Sequence, residues 1–144
     1  MRTESSNRPF GTYAACVTTV PPLVLLVDDE PVVLRMLEVN LRIAGFEVRT
    51  AGSGRDALVS AESEAPDAVV LDLGLPDLNG WEVLDRLRGI DGFGDAPVIV
   101  LSGLDRDAVG ERGYAAGVYA FLTKPVEPAD LVETLRRAVS RTDA

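Results

Sequence analysis

The sequence predicts an α/β protein in which five parallel strands form one open, doubly wound sheet with helices on both faces. Short apolar runs alternate with helical patterns from Leu23 to about Arg141. A continuously apolar run such as Leu23–Val27 is typical of a strand that is buried on both sides of a parallel sheet. Regular alternation of such strands with helices indicates a sheet whose ligands bind where the strands end.

Five segments have the apolar, β-rich composition of strands. The segment 46–51 alternates between apolar and polar residues, which indicates a strand on the edge side of the sheet. The predicted strands are Leu23–Val27, 46–51, Ala68–Leu71, Val98–Leu101 and Val118–Leu122.

Helix signals separate these strands. Pro31 is a favoured first-turn residue, Gly45 is a typical C-terminal cap, and Ser53 with Asp56 resembles a capping box. The predicted helices begin near Pro31, after Ser53, near Gly80, near Asp107 and at Pro128, and the first four end at Gly45, before Pro66, at Arg88 and at Ala116.

The composition limits the chemistry that the chain can perform. Its 144 residues make one domain, with no histidine and with Cys16 as the single cysteine, so an internal disulfide, a histidine base and a cysteine metal cluster are excluded. The net charge of −9 argues against direct nucleic-acid binding and suits a hard cation or a basic partner surface. No apolar run approaches the roughly 20 residues that span a bilayer, and residues 1–22 lack the apolar core of a signal peptide. We therefore expect a cytoplasmic protein that does not bind membranes.

Polar residues stand where the predicted strands end. These residues are Asp28, Asp29, Asp72, Ser102 and Lys124. Because parallel strands point the same way, the five side chains should converge on one edge of the sheet. Three crowded carboxylates become tolerable around a cation, and Mg²⁺ prefers oxygen ligands and is often shared with a phosphate. With a lysine and a hydroxyl beside it, Asp72 could act as a nucleophile that forms an aspartyl phosphate.

Four motifs together resemble the receiver domains of two-component response regulators, and in particular stand-alone, CheY-like receivers. They are LLVDDEP, VVLDLGLPDLNGWEVL, VIVLSG and FLTKP, in this order. Each motif alone is weak, but the set is highly specific. The resemblance implies a flavodoxin-like sheet with strand order 2-1-3-4-5 and five helices. The expected divisions are an N-terminal extension at 1–22, either disordered or packed on the domain, a receiver domain at 23–141 and a tail at 142–144.

The resemblance also implies the metal and phosphate ligands. Asp72 would be the phosphoacceptor. Mg²⁺ would bind directly to Asp29, Asp72 and the backbone carbonyl of Gly74, and through water to Asp28.

The remaining site residues would read out phosphorylation. Ser102 takes the position of the switch hydroxyl, followed by Gly103, and Lys124 that of the phosphate-binding lysine. Phe121 matches an aromatic residue whose rotamer follows the hydroxyl, but a plain core role fits the sequence equally well. In the family, the bond corresponding to Lys124–Pro125 is cis, which would direct the lysine into the site.

Three positions depart from the family pattern. Gly74 stands where a larger side chain often controls the access of water, and Gly103 after the switch serine keeps that wall small as well. Tyr119–Ala120 replaces a pair that is often acidic, so the surface of the fifth strand could meet an unusual partner.

The resemblance implies a phosphorylation-controlled switch rather than a general turnover enzyme. A sensor histidine kinase or a histidine phosphotransfer protein would phosphorylate Asp72, and the face of the fourth helix, fifth strand and last helix would change to control an unknown output protein. A degenerate receiver that acts as a constitutive interaction module is the first alternative, and the intact site argues against it. A magnesium-dependent phosphohydrolase is the second, and Gly74 argues against it because such enzymes commonly carry a second acid there. The aspartyl phosphate is expected to be self-limiting.

Overall fold

The computed structural model describes residues 20–103 and 117–143. Within these ranges the elements are β1 (Leu23–Val27), α1 (Pro31–Ile43), β2 (Glu47–Ala51), α2 (Gly54–Ser63), β3 (Ala68–Asp72), α3 (Gly80–Arg88), β4 (Val98–Ser102), β5 (Ala120–Thr123) and α4 (Pro128–Asp143). The helix predicted over 107–116 and most of the extension at 1–22 lie outside the described residues. None of the helices in the described ranges is long and apolar enough to cross a membrane.

All five strands are parallel, and their order is β2-β1-β3-β4-β5. This confirms the predicted doubly wound sheet and its strand order. The chain passes from β1 to β2 on one side and then returns to place β3 on the other side of β1. The order therefore reverses between β1 and β3, where such sheets open a crevice at the carboxyl ends of the strands.

The three central strands β1, β3 and β4 are buried along their whole lengths. Alternate side chains enter two separate clusters, one beneath α1 and α4 and the other beneath α2 and α3. The helices contribute Leu37, Leu41, Leu131 and Leu135 to the first cluster and Ala57, Ala61, Val83, Leu84 and Leu87 to the second. Burial of each large aliphatic side chain contributes about 1.5–3 kcal/mol, so the ends of these strands are firmly placed.

Gly45 terminates helix α1. Gly45 has a φ of 103°, a left-handed conformation that glycine adopts without strain. Its N–H donates to the carbonyl of Arg42, and the N–H of Phe46 donates to the carbonyl of Leu41. This is the Schellman pattern, and Phe46 and Leu41 also share a hydrophobic cluster. The predicted cap at Gly45 is confirmed.

The start of β5 was predicted wrongly. The sequence places the strand at Val118–Leu122, whereas pairing with β4 runs from Ala120, opposite Ile99, to Thr123, opposite Ser102. Gly117, with a φ of 77°, still belongs to the preceding turn. Val118 is apolar because it packs against a core cluster before pairing begins, so its composition does not mark the strand boundary.

The loop between β3 and α3 is fixed at both ends and at its apex. A Cβ at Gly80 would lie 2.7 Å from the Cα of Leu73, so only glycine lets the two ends of the loop approach so closely. At the apex, the Asp77 carboxylate accepts hydrogen bonds from the N–H of Gly54 at 2.8 Å and of Arg55 at 3.0 Å. These bonds lower the pKa of Asp77 and join the loop to the first turn of α2.

Side-chain caps begin two of the helices. Ser53 Oγ accepts from the N–H of Asp56 at 3.1 Å, as its sequence position predicts. Asn79 Oδ1 accepts from the N–H of Trp81 at 2.8 Å at the start of α3. The first turn of α2 therefore has two caps, a local one from Ser53 and a distant one from Asp77.

Candidate functional site

The carboxyl ends of the strands bring the predicted polar residues together at one edge of the sheet. Asp28 and Asp29 follow β1, Asp72 ends β3, Ser102 ends β4 and Lys124 follows β5. Beside them lies a cleft of about 440 Å³, lined by Asp29, Glu30, Asp72, Leu73, Gly74, Ser102, Gly103 and Lys124.

The acidic part of the site consists of Asp28, Asp29 and Asp72, whose carboxylate oxygens come within 4.8 Å of one another. Asp28 is fully buried and Asp72 is 4% exposed, whereas Asp29 is exposed to solvent. The Oδ1 atoms of the two buried acids accept backbone hydrogen bonds at 3.0 Å, Asp28 from Glu30 and Asp72 from Gly74. Among the described residues, Asp28 Oδ2 has no hydrogen-bond partner.

Lys124 balances the charge of the two buried acids. Its Nζ lies 3.1 Å from Asp72 Oδ2 and 3.4 Å from Asp28 Oδ2, and the longer contact is an ion pair without a well-formed hydrogen bond. The peptide bond between Lys124 and Pro125 is cis. The backbone N–H of Lys124 donates to the carbonyl of Ser102 at 2.9 Å, which joins the last residue of β4 to the lysine.

The environment shifts the pKa values of two of these groups. Burial raises the pKa of Asp28 above its ordinary range, and the charge of Asp72 adds to this, while the Glu30 N–H and Lys124 act in the opposite direction. Burial alone would lower the pKa of Lys124, but the hydrogen bond to Asp72 and the charges of Asp72 and Asp28 raise it above its ordinary value. The raised pKa keeps Lys124 positively charged at neutral pH, and additional positive charge near Asp28 would favour its ionised form.

The donor set fits a hard divalent cation. Three carboxylates from two adjacent strand ends supply oxygen atoms within a few ångströms of one another, and one buried oxygen, Asp28 Oδ2, lacks a hydrogen bond. The Lys124 ammonium contacts both buried carboxylates, those of Asp28 and Asp72. Mg²⁺ binds a few carboxylate oxygens and keeps several waters, which suits a cluster that is buried on one side and exposed at Asp29.

The two glycines beside the acids leave the cleft open. A Cβ at Gly103 would meet no described atom within 4 Å, and a Cβ at Gly74 would meet only Asp72 Oδ1, at 3.7 Å. Ser102 is almost fully buried and also lines the cleft. Gly74 and Gly103 thus add no side chain to the lining of the cleft.

Phe121 occupies a different environment from the other predicted site residues. It lies opposite Val100 in the sheet and packs, partly buried, against the cluster beneath α2 and α3. The described side chains around it are those of the core, so the core interpretation and the switch interpretation both remain consistent with its position.

The sequence analysis did not predict a role for Asp77. The residue stands in a loop sequence of leucine, proline, aspartate and leucine, where an acid is an ordinary turn former. Its partner Gly54 lies 23 positions earlier, and the contact depends on the packing of α2 beside this loop. No local pattern in the sequence predicts such a contact.

Comparison with known proteins identifies the family. The model of the response regulator receiver domain matches residues 24–136. The transcriptional regulatory protein KdpE of Mycobacterium tuberculosis is 44% identical over 122 residues, which cover 85% of this chain and 53% of KdpE. The chain thus spans about half the length of the curated relatives that it resembles.

Solved structures give the same result. A CheY-like response regulator receiver domain protein from Methanospirillum hungatei has a TM-score of 0.79 and 26% identity, over 85% of this chain and 97% of the other. The receiver domain of a sensor histidine kinase from Pseudomonas aeruginosa has a TM-score of 0.75 and 31% identity, over 83% and 98% of the two chains, and holds a magnesium ion in its active-site cleft. The chain belongs to the response regulator receiver domain family, whose members act as switches in two-component signalling.

Neutralising Asp28 is expected to stabilise the protein at neutral pH. Because its folded-state pKa is raised, the ionised carboxyl disfavours folding at pH 7, and this cost disappears as the pH falls through the folded-state pKa toward the unfolded value of about 3.9. Asp28→Asn can keep the Oδ1 acceptor for the Glu30 N–H. Urea unfolding with a chelator present should show a higher free energy of unfolding for the variant at pH 7 and a smaller difference near pH 4.

Lys124→Met is the matching control and should act in the opposite direction. It leaves two buried carboxylates without their cation, and loss of one partner from a buried ion pair costs about 3 kcal/mol or less when, as here, the pair is partly hydrated. A loss of stability in Asp28→Asn at pH 7, or a gain in Lys124→Met, would contradict the charge balance described above.

Proposed function

We propose that the chain is a phosphorylation switch in which Asp72 accepts a phosphoryl group from a phosphohistidine of a sensor histidine kinase or a histidine phosphotransfer protein. The observation that carries the proposal is the placement of Asp72. It ends a fully buried strand, its Oδ1 is held by the Gly74 N–H, and its Oδ2 lies 3.1 Å from the Lys124 ammonium. Its carboxylate thereby lines a cleft that also contains the Lys124 ammonium, the Ser102 hydroxyl and the Asp29 carboxylate.

The transfer itself needs one nucleophile and one leaving group. A carboxylate oxygen of Asp72 attacks phosphorus, a new P–O bond forms, and the P–N bond to the donor imidazole breaks with its electron pair returning to the ring nitrogen. The Lys124 ammonium can neutralise the negative charge on the phosphoryl oxygens, because it already contacts Asp72 Oδ2. Ser102, at the cleft wall, can donate its hydroxyl hydrogen to a phosphoryl oxygen.

Mg²⁺ is proposed as the cofactor, and when bound it neutralises charge on the phosphoryl group during the transfer. Asp29, Asp72 and the Gly74 carbonyl would hold it directly, with Asp28 acting through a water molecule. Two features of this chain support that assignment: the clustering of the three carboxylates and the missing hydrogen bond of Asp28 Oδ2.

The switch would pass from Ser102 into the last strand. Ser102 pairs with Thr123, and its carbonyl accepts from the Lys124 N–H, so a shift of Ser102 toward a phosphoryl group acts directly on the backbone of β5. The changed surface would be the face of β5 and α4 together with the segment before β5, and it would control an output protein. This is a two-state element biased by a local charge.

A constitutive interaction module remains the alternative function. It would need no acceptor, no cation site and no lysine at the cleft, so the assembled set of Asp28, Asp29, Asp72 and Lys124 favours the switch. Turnover of external phosphate esters is also less well supported, because Gly74 offers no general acid beside Asp72.

Phosphorylation by acetyl phosphate with Mg²⁺ is expected to add one phosphoryl group, detected by intact-protein mass spectrometry, and Asp72→Asn should abolish it. Asp85→Asn, which removes an exposed carboxylate from α3 outside the cleft, is the control and should be labelled like the wild type. Undiminished labelling of Asp72→Asn, or equal labelling without a divalent cation, would refute the proposed acceptor and cofactor.

The lifetime of the phosphorylated form is expected to depend on Gly74. A side chain there would begin 3.7 Å from Asp72 Oδ1 and extend over the open side of the cleft, so Gly74→Arg should slow hydrolysis by excluding water. Gly89→Arg adds the same side chain at the exposed C-terminal cap of α3. Decay of the phosphorylated mass after removal of the donor measures both, and equal lifetimes for the two variants would show that Gly74 does not control access.

A further inference from the structure

A ring of backbone and hydrogen bonds runs along one side of the site, and the pairing of β1 with β3 completes it. The N–H of Asp28 donates to the carbonyl of Ala51 at 3.1 Å, which joins the end of β1 to the end of β2. Three residues after Ala51 the chain enters α2 at Gly54, whose N–H donates to Asp77. From Asp77 the chain leads back through Pro76 and Leu75 to Gly74, whose N–H donates to Asp72. Asp77 is the side chain that closes this ring.

Both oxygens of the Asp77 carboxylate have partners in the first turn of α2. Asp77 Oδ1 accepts from Gly54 and Oδ2 accepts from Arg55, and the Arg55 Nε lies 3.8 Å from Oδ2. The approach is close, because a Cβ on Gly54 would lie 2.8 Å from Val83 Cγ2 and 3.0 Å from Leu78 Cβ. The apex of the loop therefore packs closely against α2 and is also hydrogen-bonded to it.

The two halves of the acidic site are carried by different parts of this ring. Asp28 and Asp29 directly follow β1, against which α2 packs, whereas Asp72 ends β3 and Gly74 lies in the loop after it. The close approach of Leu73 and Gly80 holds the two ends of the β3–α3 loop together. The apex of the loop is held by Asp77. The position of the Gly74 backbone relative to Asp29 thus depends on the contact between Asp77 and α2.

We propose that Asp77 is a positioning residue for the cation site: by holding the β3–α3 loop on the first turn of α2, it keeps the Gly74 carbonyl in place relative to Asp29. The inference rests on the proposed function, since it concerns the same Mg²⁺ site. Partners that orient metal ligands without touching the metal commonly change metal affinity by about tenfold or more when removed.

The competing explanation is that Asp77 is simply a helix cap. The chain offers a matched control, because Ser53 caps the same turn of α2 through Asp56 but makes no contact that an Asp77 substitution would remove. Ser53→Ala and Asp77→Ala each remove a cap from α2. Asp77→Ala alone releases the loop that carries Gly74.

Calorimetric titration of the full chain with Mg²⁺ tests the proposal, alongside urea unfolding of the same samples. We expect Asp77→Ala to weaken Mg²⁺ affinity about tenfold, and Ser53→Ala to lower the unfolding midpoint while leaving Mg²⁺ affinity at the wild-type value. Asp77→Asn, which keeps one acceptor for the Gly54 N–H, should fall between wild type and Asp77→Ala, and it gives the answer if the alanine variant does not fold. Wild-type affinity in both Asp77 variants, or equal losses in Asp77→Ala and Ser53→Ala, would overturn the proposal.

The outcome is distinguishable from a failure of the proposed function. If the wild type binds Mg²⁺ and is labelled at Asp72 only in its presence, but Asp77 substitutions leave the affinity unchanged, the positioning role alone is refuted. If the wild type shows neither Mg²⁺ binding nor Mg²⁺-dependent labelling, the cation site and the role of Asp77 are refuted together.

Discussion

The centre of the site is a pair of buried carboxylates that share one ammonium group. Asp28 and Asp72 are nearly inaccessible to water, yet they lie close enough to repel each other, and Lys124 contacts both. Such an arrangement contributes little net stability, because desolvation offsets most of the attraction. It persists because the hydrophobic clusters on both faces of the sheet stabilise the strands that carry these residues. Stability is supplied by the core, and the strand ends are free to hold charges for another purpose.

The parallel sheet converts sequence positions into a site. Because β1, β3, β4 and β5 run in the same direction, the residues that end them meet at one edge regardless of their separation along the chain. Rigid central strands fix Asp28, Asp72 and Ser102, whereas loops supply Asp29 and Gly74. The contacts of Leu73 with Gly80 and of Asp77 with α2 hold the loop that carries Gly74. The site thus combines acids placed by the strands with a loop that is held by a few specific contacts.

Much of this organisation could be predicted from the sequence, for physical reasons. The continuous apolar runs mark buried strands, and the site residues directly follow those runs, so their convergence required only the assumption of a parallel sheet. The start of β5 was misplaced because Val118 is apolar for packing rather than for pairing. Asp77 was missed because its hydrogen bonds reach a helix 23 residues earlier, and such contacts depend on the packing of two elements and leave no periodic trace.

The proposed cation site consists of the three acids around Lys124. The most direct measurement is the free energy of unfolding as a function of Mg²⁺ concentration, since a cation that binds only the folded state stabilises it progressively above its dissociation constant. We expect Mg²⁺ to stabilise the wild type and Ser102→Ala alike, because the hydroxyl is not a proposed metal ligand, and Asp29→Ala to lose most of the effect. Equal stabilisation of Asp29→Ala and the wild type, or its loss in Ser102→Ala alone, would place the cation elsewhere and contradict the proposed site.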